Sequence, residues 1–153
     1  MKTLKMVLVL VFLSSLKLLA QFSLNTFLND PFDQTITNIK EKHADKTIEE
    51  KEMMNFKVLM YYDWLDPISI KVGYMFAEDG KQKGKTLVNG KEKEDDAQKL
   101  FDITKELLVK KYGNKYSENN MLGVTLIMFK SEEGSSIMLT RKGEKTSLVV
   151  VGK

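Results

Sequence analysis

Two alternating runs around an aspartate–proline pair constrain this chain more than any other feature. Met54, Phe56, Val58, Met60, Tyr62 and Trp64 are apolar or aromatic at every second position, while Asn55, Lys57 and Asp63 between them are polar. After Asp66-Pro67 the alternation resumes as Ile68, Ile70, Val72, Tyr74 and Phe76. A period of two is the signature of strands with one face buried. Proline donates nothing to a ladder and presets a turn, so residues 65–67 read as a hairpin loop. A three-residue loop sets Trp64 opposite Ile68, Tyr62 opposite Ile70 and Met60 opposite Val72. The even-numbered apolar faces then coincide, and Trp64 and Tyr62 are expected in the core.

The same register puts Tyr61 opposite Lys71, Leu59 opposite Gly73 and Met75 opposite Lys57 on the other face. Leu59, Tyr61 and Met75, with Lys71 and the side-chain-free Gly73, are the candidate partner-contact residues. Partial shielding of that face by loops is the plainer alternative.

Around the hairpin, helical spacing takes over. Phe32, Ile36, Ile39 and His43 fall on one stripe of a helix opened by Asp30 as cap and Pro31 at its first position. The charged segment DKTIEEKE reads as a solvated link. A strand is expected near 85–89. A second helix follows from Asp95 or Asp96, with Ala97, Leu100, Phe101, Thr104, Leu107 and Leu108 buried and Gly113 as C-terminal cap. A polar loop then leads to strands over 122–130, 135–141 and 146–151. The order α-βββ-α-βββ predicts an α+β domain with two helices on one face of a mostly antiparallel sheet, and it raises the possibility of internal duplication. The arrangement is similar to that of small exported helix-on-sheet proteins such as envelope-assembly factors and secreted enzyme inhibitors. This is a likeness of fold and not of motif.

The N-terminus is a separate matter. Lys2 and Lys5 precede an apolar run from Met6 to Leu16, and Ala20 is small enough for a signal-peptidase site. Residues 1–20 therefore read as a signal peptide and residues 21–153 as a single domain, exported to the periplasm or secreted, with no stable membrane anchor once the signal is gone. The run is shorter than the roughly 20 apolar residues of a spanning helix. The chain has 24 basic and 21 acidic residues, and three of the lysines (Lys2, Lys5, Lys17) lie before residue 21, where there is no acid. The remainder is balanced at 21 of each. Balanced charge with alternating signs gives no footprint for nucleic acid.

Few chemistries are open to it. The chain has no cysteine and a single histidine, His43, which removes thiol catalysis and the usual zinc ligand sets. His43 sits near a helix C-terminus, where the dipole favours a cation and an imidazole can hydrogen-bond the last carbonyls, and reads as structural. No nucleophile elbow, calcium loop or phosphate-binding glycine motif occurs, and the acid runs Glu78-Asp79, Glu92 to Asp96 and Glu132-Glu133 fall at turns or a helix start. No cofactor, metal or catalytic residue is assigned. The expected function is an exported, non-catalytic binding protein for a protein, peptide or envelope component of a bacterial cell. The alternatives are a small carboxylate-dependent hydrolase of envelope or polysaccharide and a carrier whose nine methionines line an apolar site.

Overall fold

The computed structural model describes residues 22–131 and 134–152. The expected signal segment 1–20 and Glu132-Glu133 lie outside the described residues. Among those residues the fold is α+β, with three helices and one eight-stranded antiparallel sheet. The helices are α1 Leu24–Asn29, α2 Ile36–Lys42 and α3 Glu94–Tyr112. The strands are β1 Glu49–Met53, β2 Phe56–Leu65, β3 Ile68–Phe76, β4 Gln82–Asn89, β5 Ser117–Met121, β6 Val124–Lys130, β7 Ser136–Lys142 and β8 Lys145–Val151. Two four-stranded meanders meet through β4 and β8, giving the order β1-β2-β3-β4-β8-β7-β6-β5.

Each meander is closed on the outside by a strand expected to be loop. The charged link is partly β1 and the polar loop after α3 is largely β5. Both are exposed edge strands, rich in charge or amide groups, which guard an edge against further pairing. Their composition hides them from an alternation test. Each joins the next strand through a two-residue turn with positive φ at both positions, Met54-Asn55 in one and Leu122-Gly123 in the other. The segments Met53-Met54-Asn55-Phe56 and Met121-Leu122-Gly123-Val124 thus occupy matching places in the two halves.

The expected first helix, opened at Asp30 and carrying Phe32 to His43, is shortened to α2, and an unexpected third helix, α1, precedes it. Ser23 Oγ accepts from Thr26 N at 3.2 Å and opens α1. Asp30 ends it instead of capping a later helix, because a residue before proline is pushed out of the helical region. A capping box starts α2, with Asn38 N donating to Thr35 Oγ1 and Thr35 N to Asn38 Oδ1, each at 3.1 Å. In α3, Lys93 is the N-cap, so Asp95 and Asp96 lie in the first turn and complement the dipole without capping. Gly113, at φ 76°, ends the helix.

The hairpin register is displaced by one residue from the expected one. Leu65 pairs with Ile68 across a two-residue turn at Asp66-Pro67, which makes Tyr61 the partner of Val72, Leu59 of Tyr74 and Asp63 of Ile70. The odd positions of β2 therefore share a face with the even positions of β3. Slipping a pair by one residue moves every side chain of a strand to the other face. Leu59 and Tyr61 are buried beneath the helices, while Tyr62 and Trp64 are about half exposed, at 52% and 53%. The expectation that Trp64 and Tyr62 lie in the core is thereby corrected.

All three helices cover that one face. Phe27 of α1 stacks edge-on to Tyr74, Lys40 of α2 pairs with Glu50, and Thr146 Oγ1 of β8 donates to the Ala97 carbonyl of α3 at 2.7 Å. Leu59, Ile70, Val72, Leu87, Leu139 and Leu148 form the floor of the core under them. Asn89 secures the middle of the sheet: its amide donates to the Glu144 carbonyl at 2.8 Å, and its carbonyl oxygen accepts from Thr146 N. No helix among the described residues is long and apolar enough to cross a membrane.

Candidate functional sites

Two regions concentrate chemistry, one beneath the helices and one on the uncovered side of the sheet. The first is a cleft of about 290 Å³ between α1, α2 and strands β2 and β3. His43, C-cap of α2, stacks on Tyr61 with ring centroids 4.4 Å apart, and Tyr61 stacks in turn near Tyr74 at 6.5 Å. The Tyr61 hydroxyl lies 3.3 Å from His43 Nε2. Asp30 accepts from Lys42 at 2.7 and 2.8 Å, and Asp63 accepts from Lys46 at 3.3 Å and from the Trp64 backbone N–H at 2.8 Å.

The electrostatics of this cluster run against activation of a nucleophile. Burial, with the neighbouring Lys42 charge, lowers the His43 pKa below its usual value, so the imidazole is held neutral. The helix dipole, which favours a cation at this end, is outweighed here by burial against Tyr61. Burial and the neighbouring Tyr74 raise the Tyr61 pKa, and burial beside Asp30 pushes Tyr74 up to about 12. Both hydroxyls stay protonated where a catalytic tyrosine would need to ionise more readily. Behind the cleft, fully buried Lys85 donates to the carbonyls of Phe27 at 2.5 Å and Asp30 at 2.6 Å. It occupies the negative end of α1, and burial lowers its pKa to about 8. This set of groups holds α1 and α2 onto the sheet.

The second region is the sheet face that no helix covers. Of the eleven exposed large hydrophobic side chains among the described residues, eight lie on it, so their exposure is gathered and not scattered. Tyr62 and Trp64 mark its β2 side, and Met121, Met128 and Met138 its β5–β7 side. The ionic side chains on its strands are Lys51, Lys71, Lys130, Lys142 and Lys145 with Glu49, and Lys145 also lies 4.0 Å from Glu92 in the loop before α3. Glu49 lies 3.4 Å from Lys71 and 3.5 Å from Lys51, while the Lys71 ammonium also sits 5.0 Å from the centre of the Tyr62 ring.

The five candidate contact residues divide between these regions. Lys71, Gly73 and Met75 are on the uncovered face, but Leu59 and Tyr61 are on the other, fully enclosed. Gly73 remains side-chain-free for a reason of packing: a Cβ there would lie 2.8 Å from the Thr86 methyl. Tyr62 and Trp64, which sequence reasoning assigned to the core, take the places of Tyr61 and Leu59. Alternation alone could not place them, because it fixes which residues share a face and not which face is covered. No group of three or more His, Asp or Glu side chains among the described residues is arranged to hold a metal ion.

Comparison of the chain with protein-family models, with curated proteins and with solved structures finds no match.

Proposed function

We propose that this protein is an exported, non-catalytic binding protein that docks an envelope component through its uncovered sheet face. The observation that carries this reading is the segregation of exposed apolar and aromatic side chains onto that face, with Tyr62 and Trp64 each about half exposed. The region with enzyme-like residue types supports it indirectly, since the carboxylates of Asp30 and Asp63 are each engaged by a lysine. The export half of the reading rests on Lys2, Lys5, the apolar run to Leu16 and Ala20.

Capture with the exported protein as bait tests the reading. Retention of a membrane or envelope component by the wild type, its loss with Tyr62→Ser/Trp64→Ser, and its persistence with Ile103→Ser on the exposed flank of α3 is the expected pattern. Equal capture by all three proteins would overturn the role of the face. N-terminal sequencing of that same material should give a start at or near Gln21, and a retained Met1 would remove the export argument.

A further inference from the structure

Resting on that reading of the uncovered face, we propose that its partner is an anionic lipid surface, to which the protein docks reversibly by this face. Three features of the face converge on such a partner. Its strands carry five lysines to one glutamate, with one further acid, Glu92, 4.0 Å from Lys145 at the rim, although the chain from residue 21 onward is balanced. The imbalance is therefore positional: the acids Glu50, Asp63, Glu94 and Glu118 pair with lysine or arginine on the helix-covered side or at its rim.

The apolar groups between the lysines are of the kind that partition into a lipid headgroup region. Tyr62 and Trp64 have amphipathic rings suited to that depth. Lysine stems lie along apolar surface while their ammonium groups reach toward phosphate. Lys142 and Lys145 flank the β7–β8 turn, both exposed, at the same end of the sheet as Trp64.

The face also lacks the form that other partners need. Of the two cavities, one lies beneath α1 and α2, and the other sits at the Met53-Met54-Asn55 hairpin tip and meets the face only at its margin, through Met53 and Phe56. An extended peptide adds at an edge strand, β1 or β5, and not on a sheet face whose strands are already paired on both sides. A second copy would set five lysines against five lysines.

Trp64, the only tryptophan, sits on the face and reports on it directly. The exported protein is titrated with phosphatidylcholine vesicles and with vesicles containing phosphatidylglycerol, and Trp64 emission is followed. This readout separates docking of the face from any affinity of residues 6–16 for lipid. The expected result is a blue shift with the anionic vesicles alone, reversed by salt. Lys142→Glu/Lys145→Glu should bind at least about tenfold more weakly, since each lysine near an anionic surface is worth about a factor of five. Lys99→Glu/Lys110→Glu on exposed positions of α3 carries the same change of net charge and should bind as the wild type. An equal shift with neutral vesicles, or equal weakening by the two double variants, would overturn the proposal. A shift with polyglutamate but not with vesicles would overturn the lipid and keep the face as a docking surface. No shift with any probe, together with capture that ignores Tyr62→Ser/Trp64→Ser, would remove both.

Discussion

The Tyr61 hydroxyl stands 3.3 Å from His43 Nε2, and the two rings stack 4.4 Å apart, so the only imidazole of the chain seals α2 against the sheet. The contact is made by a neutral ring. Burial lowers the His43 pKa below 6.5, so protonation favours the unfolded chain.

From that sign follows a pH dependence. The contribution of the neutral imidazole is fully present above pH 6.5 and is lost as pH falls through the lowered native value. Denaturant midpoints between pH 7 and about pH 5 should fall for the wild type and fall less for His43→Gln. Parallel curves for the two proteins would show that His43 is not held neutral.

Lys85 gives the same sign in a different window. Its native pKa of about 8 lies below the 10.5 of an exposed lysine, so the unfolded chain binds the extra proton between these values and stability rises with pH. Relative to Lys85→Met, the wild type should gain about 1–2 kcal/mol from pH 8 to about pH 10. Above that range the raised pKa values of Tyr61 and Tyr74 act in the opposite direction, because ionisation favours the unfolded state. A constant difference between the two proteins from pH 7 to 10 would show a lysine that the helix carbonyls hold charged throughout.

The register makes a contrast between two positions of β2 that face opposite sides of the sheet. Leu59→Ala removes a fully buried side chain from the core floor and should cost about 2–5 kcal/mol. Trp64→Ala, about half exposed, should cost less than about 1.5 kcal/mol, and wild-type fluorescence should be solvent-like in the absence of a partner. Blue-shifted emission from the free protein, with a large loss in Trp64→Ala, would restore the other register.

Leu122 sits at φ 52° with 92% of its surface exposed, at a turn position where asparagine and glycine are the favoured residues. Leu122→Asn should raise stability by about 1 kcal/mol in chemical denaturation, since a left-handed backbone costs a leucine about that much. Unchanged or lower stability would mean that this leucine has packing or turn geometry of its own to lose.

The alternation from Met54 to Phe76, the stripe of α3 and its glycine end are local patterns, and the sequence by itself determined the α+β class and the place of β2, β3, β4, α3 and β6 to β8 from them. The edge strands β1 and β5 were not legible, because one partner and exposed faces ask for no apolar period. Which side of the sheet became the core was not legible either. That choice hangs on one residue in the Asp66-Pro67 turn and on where α1 and α2 settle, and only the pairing of Leu65 with Ile68 decides it. Tyr61 is consequently enclosed against His43 and Trp64 is turned outward beside Tyr62. Periodicity reports that residues two apart share an environment, but the environment itself is set by whatever packs there from elsewhere in the chain.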